Sequence, residues 1–149
     1  MRQNALAWLW LMGVRLVPML HKDLTQRVIN AAKAVHAELG AGLSRAFYVK
    51  ALEIELREAG LMAEVDKPVV VHYRGQKIGE LGADICVDNA ILVLCVEGDD
   101  VKPDEYGRLR ALLKGLELEV GLLLRFNGAR LDIRRVEALP KNKETAATE

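Results

Sequence analysis

Apolar positions recur at helical spacing from the start of the domain: Leu24, Val28, Ala31, Ala32, Val35 and Leu39. That spacing predicts a helix with one buried stripe. Asp23 suits its N-cap, Gln26 lies three residues on in the capping-box position, and Gly40 stops it. A second helix is expected from Ser44, as its cap, to Ala59, ended by Gly60. Phe47, Tyr48, Ala51, Leu52, Ile54 and Leu56 form its apolar face, and Glu53, Glu55, Arg57 and Glu58 its wet side. The period then changes. Val69–Tyr73 is β-branched and aromatic, so strand, and Arg74–Lys77 turns the chain. Ile78–Glu97 reads as a hairpin. Its first strand carries Asp84, and its second, Ala90–Val96, is seven apolar residues without a break. Such runs belong to strands covered on both faces. Asp88 and Asn89 form the turn, and a three-residue turn sets Asp84 opposite Leu94 on one face.

A polar acidic loop, Gly98–Lys102, precedes a helix with Pro103 in its first position. Tyr106, Leu109, Leu113 and Leu116 carry its stripe. Val120–Leu124 is a buried strand, Asn127-Gly128 a turn, and Leu131–Val136 a last strand. Helix, helix, three strands, helix, then one or two strands predict an α/β fold, a mixed β-sheet flanked by helices.

Composition changes this picture little. The 149 residues suit one domain, and 51% apolar residues supply a core. Lysines plus arginines equal aspartates plus glutamates, 21 each, so no global basic field drives nonspecific nucleic-acid binding, though a local patch is compatible. Cys86 and Cys95 fall on adjacent strands, out of register for a bridge, and read as small core residues of a cytoplasmic protein. Residues 1–20 form an apolar extension. Arg15 and Pro18 interrupt it, which argues against a stable membrane span, and no small-x-small cleavage site marks a signal peptide. It reads as an element packed on the domain, a peripheral anchor, or an extension translated from a start set too early. Residues 21–137 form the domain, and 138–149 a polar, disordered tail.

No Gly-rich phosphate loop, CxxC pair or HExxH is present. His21, His36 and His72 are scattered over three elements, and Ser44 has no His–Asp set at hand.

The run LTQRVINAAKAVHAELGAGLSRAFYVKALEIELREAGL, with VHYRGQKIGELGADICV and LEVGLLLRFNG, resembles the GxxExxY proteins. These are a prokaryotic group within the PD-(D/E)XK nuclease-like superfamily. The resemblance spans about Leu24 to Val136 and implies a PD-(D/E)XK nuclease-like core. It also implies the superfamily's chemistry, metal-dependent phosphodiester cleavage. An acid on one core strand and a second on the next hold the cation, a lysine two residues later assists the attacking water, and a helix-borne glutamate often completes the set.

Carried over by position, the resemblance keeps Gly42, Tyr48, Gly75, Gly79, Asp84, Gly121 and Phe126. Asp84 matches the first acid. The helix glutamate becomes Arg45, the second acid Leu94 and the lysine Val96. The following helix's glutamine and tyrosine become Arg108 and Leu112, and the asparagine before Phe126 becomes Arg125. One carboxylate cannot replace two or three for Mg²⁺. The expectation is therefore a pseudoenzyme, not an enzyme, needing no cofactor and holding no metal, acting as a module that binds nucleic acid or a protein partner. The alternative is an active Mg²⁺-dependent nuclease with acids relocated to Glu97, Asp99 or Asp100. Asp84 itself is expected either to pair with Arg45 or to sit exposed at a strand end. Arg45, Arg108 and Arg125 are expected to converge on an anion, or to be ordinary surface arginines.

Overall fold

The computed structural model describes residues 21–138, and the expectations for residues 1–20 and for the tail from 139 onward lie outside them. Helix α1 (Lys22–Leu39) buries Val28, Ala31, Ala32 and Val35, as the spacing predicts; Thr25 is buried as well, whereas Leu24 is only partly buried and Leu39 is 37% exposed. Its start is corrected. His21 takes the N-cap position without a side-chain bond, and Asp23 sits inside the first turn, where its charge suits the positive end of the helix.

Helix α2 (Arg45–Glu58) buries Tyr48, Leu52, Glu53 and Leu56. Its phase differs from the expectation at three positions. Phe47 and Ile54 are 61% and 49% exposed, while Glu53 is buried. Tyr48 sets the phase, because its ring stacks on Phe126 at 4.4 Å with 6° between planes. Leu52 and Leu56 follow inward at one-turn intervals. Glu53 then falls at the inner edge, tied to Arg57 at 2.7 Å and Lys50 at 3.2 Å.

Strands β1 (Ala63–Tyr73), β2 (Gln76–Val87) and β3 (Ile91–Val96) precede helix α3 (Pro103–Leu116), and β4 (Val120–Arg125) and β5 (Asp132–Glu137) follow it. The sheet order is β1-β2-β3-β4-β5. All neighbours run antiparallel except β3 and β4, which α3 joins as a parallel crossover. The β2–β3 turn has left-handed Asp88 (φ 50°) and Asn89 (φ 53°), a conformation these residue types tolerate. Gly121 on β4 permits a close approach, since a Cβ there would lie 2.8 Å from a Leu109 methyl.

The sheet separates two cores. Ala63, Ile85, Val87, Ile91, Val93 and Cys95 pack with α1 and α2 on one side. Val69, Ala83, Leu92, Leu94 and Val96 pack with Leu109, Leu112 and Leu113 of α3 on the other. Strict alternation would keep all odd positions of β1 and β2 on one face. Here Val65 and Ile85 face α2 while Val69, Leu81 and Ala83 face α3. The ribbon rolls over between the Val65–Ile85 and Lys67–Ala83 pairs, where Asp66 is left-handed at φ 57°. Asp84 lies at that point on β2.

Candidate functional site

Asp84 is 6% exposed, so it is not the water-exposed strand end that was one expectation. The β2–β3 ladder closes at Val87–Ile91, Cys86–Leu92 and Ile85–Val93 and goes no further. Past it, the Cys95 N–H donates to the Asp84 carboxylate at 2.9 Å. The side chain thus satisfies a backbone donor that the parting strand leaves behind. Burial pushes the Asp84 carboxyl above the usual carboxylate range. The Cys95 bond and the charges of Arg45 and Arg108 pull the other way without reversing it.

Asp84 opens onto a cavity of about 240 Å³ shared with Arg45, Val49, Lys50, Glu53 and Asp66. Asp84 and Arg45 therefore meet on the same side of the sheet. Among the described residues no ion pair within 4.0 Å joins them, so the bidentate pair expected of Arg45 does not form; its charge acts through space. Helix α2 brings Arg45 here, with Ser44 in the expected N-cap position and Glu97, just past β3, bonded to the first turn. Ser44 makes no side-chain cap bond, and the Arg45 N–H donates to the Glu97 carboxylate at 3.0 Å.

Leu94 corrects the shared-face expectation. The ladder ends one step short of an Asp84–Leu94 pair, and Leu94 is enclosed in the α3-side core at 1% exposure, with Val96 beside it at 5%. The β3 chain reaches Asp84's side through Cys95 and Glu97. Burial pushes the Cys95 thiol far above its ordinary range, and the Asp84 charge adds to this.

The three arginines are only partly gathered. Arg108 lies on α3, donates to the Gly82 carbonyl at 3.2 Å and acts on Asp84 through space. Arg125 is committed elsewhere, to Asp132 at 3.5 Å. Asp132 in turn takes two bonds from Arg134, which with Arg125 hold its carboxyl below the usual range.

Tyr48 and Gly42 serve the loop between α1 and α2. The Tyr48 hydroxyl donates to the Gly40 carbonyl at 2.6 Å and accepts from the Leu43 N–H at 3.2 Å. Gly42, at φ 108°, donates to the Asn127 side chain at 3.4 Å, and His36 meets the Gly128 carbonyl at 3.0 Å. The loop is thereby fastened to the β4–β5 turn, and His36 is a structural residue. Tyr48→Phe keeps the stack and loses both bonds. A loss of about 1–3 kcal/mol in urea denaturation is expected, at ~0.5–1.5 kcal/mol per bond.

A mixed five-stranded sheet with α1 and α2 on one side and α3 on the other is a nuclease-like α/β core. A family model for the PD-(D/E)XK nuclease superfamily matches residues 22–136, and the chain belongs to that superfamily. No curated protein and no solved structure gives a match.

The divalent cation of that superfamily's chemistry needs several oxygen ligands on one small volume. Asp84 supplies a carboxylate. Glu53 is held between Lys50 and Arg57, and Glu97 is bonded to the Arg45 N–H. Asp100 accepts from the Val101 N–H. Among the described residues no group of three or more His, Cys, Asp or Glu side chains is placed to hold a metal. The residues present do not fit the cation.

No helix among the described residues is long and apolar enough to cross a membrane.

Proposed function

We propose that this chain is a catalytically degenerate member of the GxxExxY group, a pseudoenzyme that binds without cutting. The observation that carries this reading is the burial of Leu94 and Val96, the second-acid and lysine positions, inside the α3-side core. A ligand set cannot be completed from there without dismantling that core. Arg45 adds to the argument, since it brings positive charge to a place where the superfamily's chemistry needs negative.

The partner the residues favour is an anionic backbone, met by Arg45 and Arg108 flanking Asp84. A protein partner is the other outcome of the same tests. Supercoiled plasmid incubated with the chain under a Mg²⁺ or Mn²⁺ titration is expected to stay supercoiled, and metal-dependent nicking overturns the reading. Binding to duplex DNA is expected to weaken steeply as salt rises. A flat salt response, or no binding at all, removes nucleic acid as the partner and leaves protein. The alternative with relocated acids calls for a metal-dependent rise in melting temperature, which the pseudoenzyme reading does not expect.

A further inference from the structure

Helix α2 is apolar on two faces. Tyr48, Leu52 and Leu56 point into the core, while Phe47 and Ile54, seven residues apart on the opposite crest, are 61% and 49% exposed. Leu43 just before the helix is 38% exposed, and Met62 just beyond its C-terminal end is 64% exposed. Helix α3 by contrast exposes no large apolar side chain. A helix apolar on both sides belongs under a cover on both sides.

The chain carries a segment suited to that cover. Residues 5–20, ALAWLWLMGVRLVPML, hold one charge, Arg15. The segment joins the described domain at His21, at the start of α1. That start lies beside the end of α2, because the Arg27 guanidinium donates to the Ala59 carbonyl. Ile54 is about 8 Å along the helix axis from Ala59 and Phe47 about 18 Å, at 1.5 Å per residue. Sixteen residues reach about 24 Å even at helical rise, and farther when extended, so the whole crest is within range. Tethering also gives the segment a high local concentration over that crest, an advantage no separate molecule has.

We propose that residues 5–20 dock on the exposed crest of α2, with Phe47 and Ile54 as the anchors. The segment then acts as a covering strap for the domain.

The test is direct, because both tryptophans of the chain, Trp8 and Trp10, lie in the segment. In the full chain, tryptophan emission is expected to be blue-shifted and protected from acrylamide at all protein concentrations. In Phe47→Lys/Ile54→Lys, which alters exposed positions, emission is expected to shift red and quenching to rise toward that of free tryptophan, with circular dichroism unchanged. Solvent-like emission in the parent chain overturns the proposal. So does protection that survives the double substitution. Protection that grows with protein concentration assigns the crest to a second copy. Protection that appears only with phosphatidylcholine–phosphatidylglycerol vesicles assigns the segment to a membrane surface. Either of these last two results also overturns the strap. If the double variant unfolds, Phe47→Ser alone is read by the same quenching measurement.

Discussion

Leu94→Glu is expected to destabilise the chain by more than about 2–5 kcal/mol, the range for truncating a buried leucine. It is not expected to restore an acidic site. Leu94 is 1% exposed and sits with Leu92, Val96, Leu109, Leu112 and Leu113 between sheet and α3. A carboxylate there loses the packing and also goes unpaired into an apolar core, a second cost. Adding Val96→Lys puts a cation into the same core at a 5% exposed position, and adding Arg45→Glu changes charge on the far side of the sheet. The triple variant that copies the superfamily's pattern should therefore fold poorly and gain no affinity for Mg²⁺. Urea denaturation with and without the metal reads both expectations. A triple variant as stable as its parent, and stabilised further by Mg²⁺, would show that these positions still face Asp84.

That outcome separates what the sequence can express from what it cannot. Helix and most strand positions were legible because their signals are local: the stripe from Val28 to Val35, the seven-residue apolar run ending at Val96, Pro103 at the start of α3; β1 is the exception, beginning at Ala63, six residues before the β-branched run at Val69. The Asp88-Asn89 turn and its register were legible for the same reason. The caps were not. Ser44 is the right residue type in the right place, but its side chain makes no cap bond: the Phe47 N–H goes to the Ser44 carbonyl, and Glu97, 52 residues away in the chain, takes the Arg45 N–H. The phase of α2 was missed for a related reason. Its apolar residues surround the helix, so which face turns inward is decided by Tyr48 meeting Phe126, a contact between distant parts of the chain.

The face that Asp84 presents changes where the β1–β2 ribbon rolls over. Alternation along β2 and β3 sets Asp84 and Leu94 on a common face, and it holds along the ladder from Ile85 to Val87. At the left-handed Asp66 on β1 the ribbon rolls over, and Asp84 lies toward α2 while Leu94 remains against α3. A left-handed aspartate inside a strand has no sequence signature beyond the residue being one that tolerates it. The pairing of Arg125 with Asp132 was likewise invisible, because it joins two strands across the β4–β5 turn. Arg45 and Arg108 were placed near Asp84 by the resemblance alone, and both act on it.

Asp84 yields the second large effect, read through pH. Its carboxyl is raised by burial, so the folded state binds its proton more tightly than the unfolded chain does. Folding stability from this group is then complete below the ordinary aspartate range. It declines as pH rises through the raised folded value, and stays reduced above it. Asp84→Asn removes that decline and keeps an oxygen to accept the Cys95 N–H. The variant is expected to gain stability over the parent as pH rises from acid to neutral, and the gain should level off above the folded value. Asp84→Ala removes the charge but also orphans the buried Cys95 N–H, which costs about 1–3 kcal/mol. At pH 7 the asparagine variant should exceed the alanine variant by that amount in urea denaturation. A parent chain that becomes more stable relative to Asp84→Asn on going from acid to neutral pH would mean that the two arginines outweigh burial. The acid would then be held as an ion, as a working nuclease site requires. The same pair of variants thus tests whether this carboxylate now serves the sheet, by closing a broken ladder, or still serves a charge.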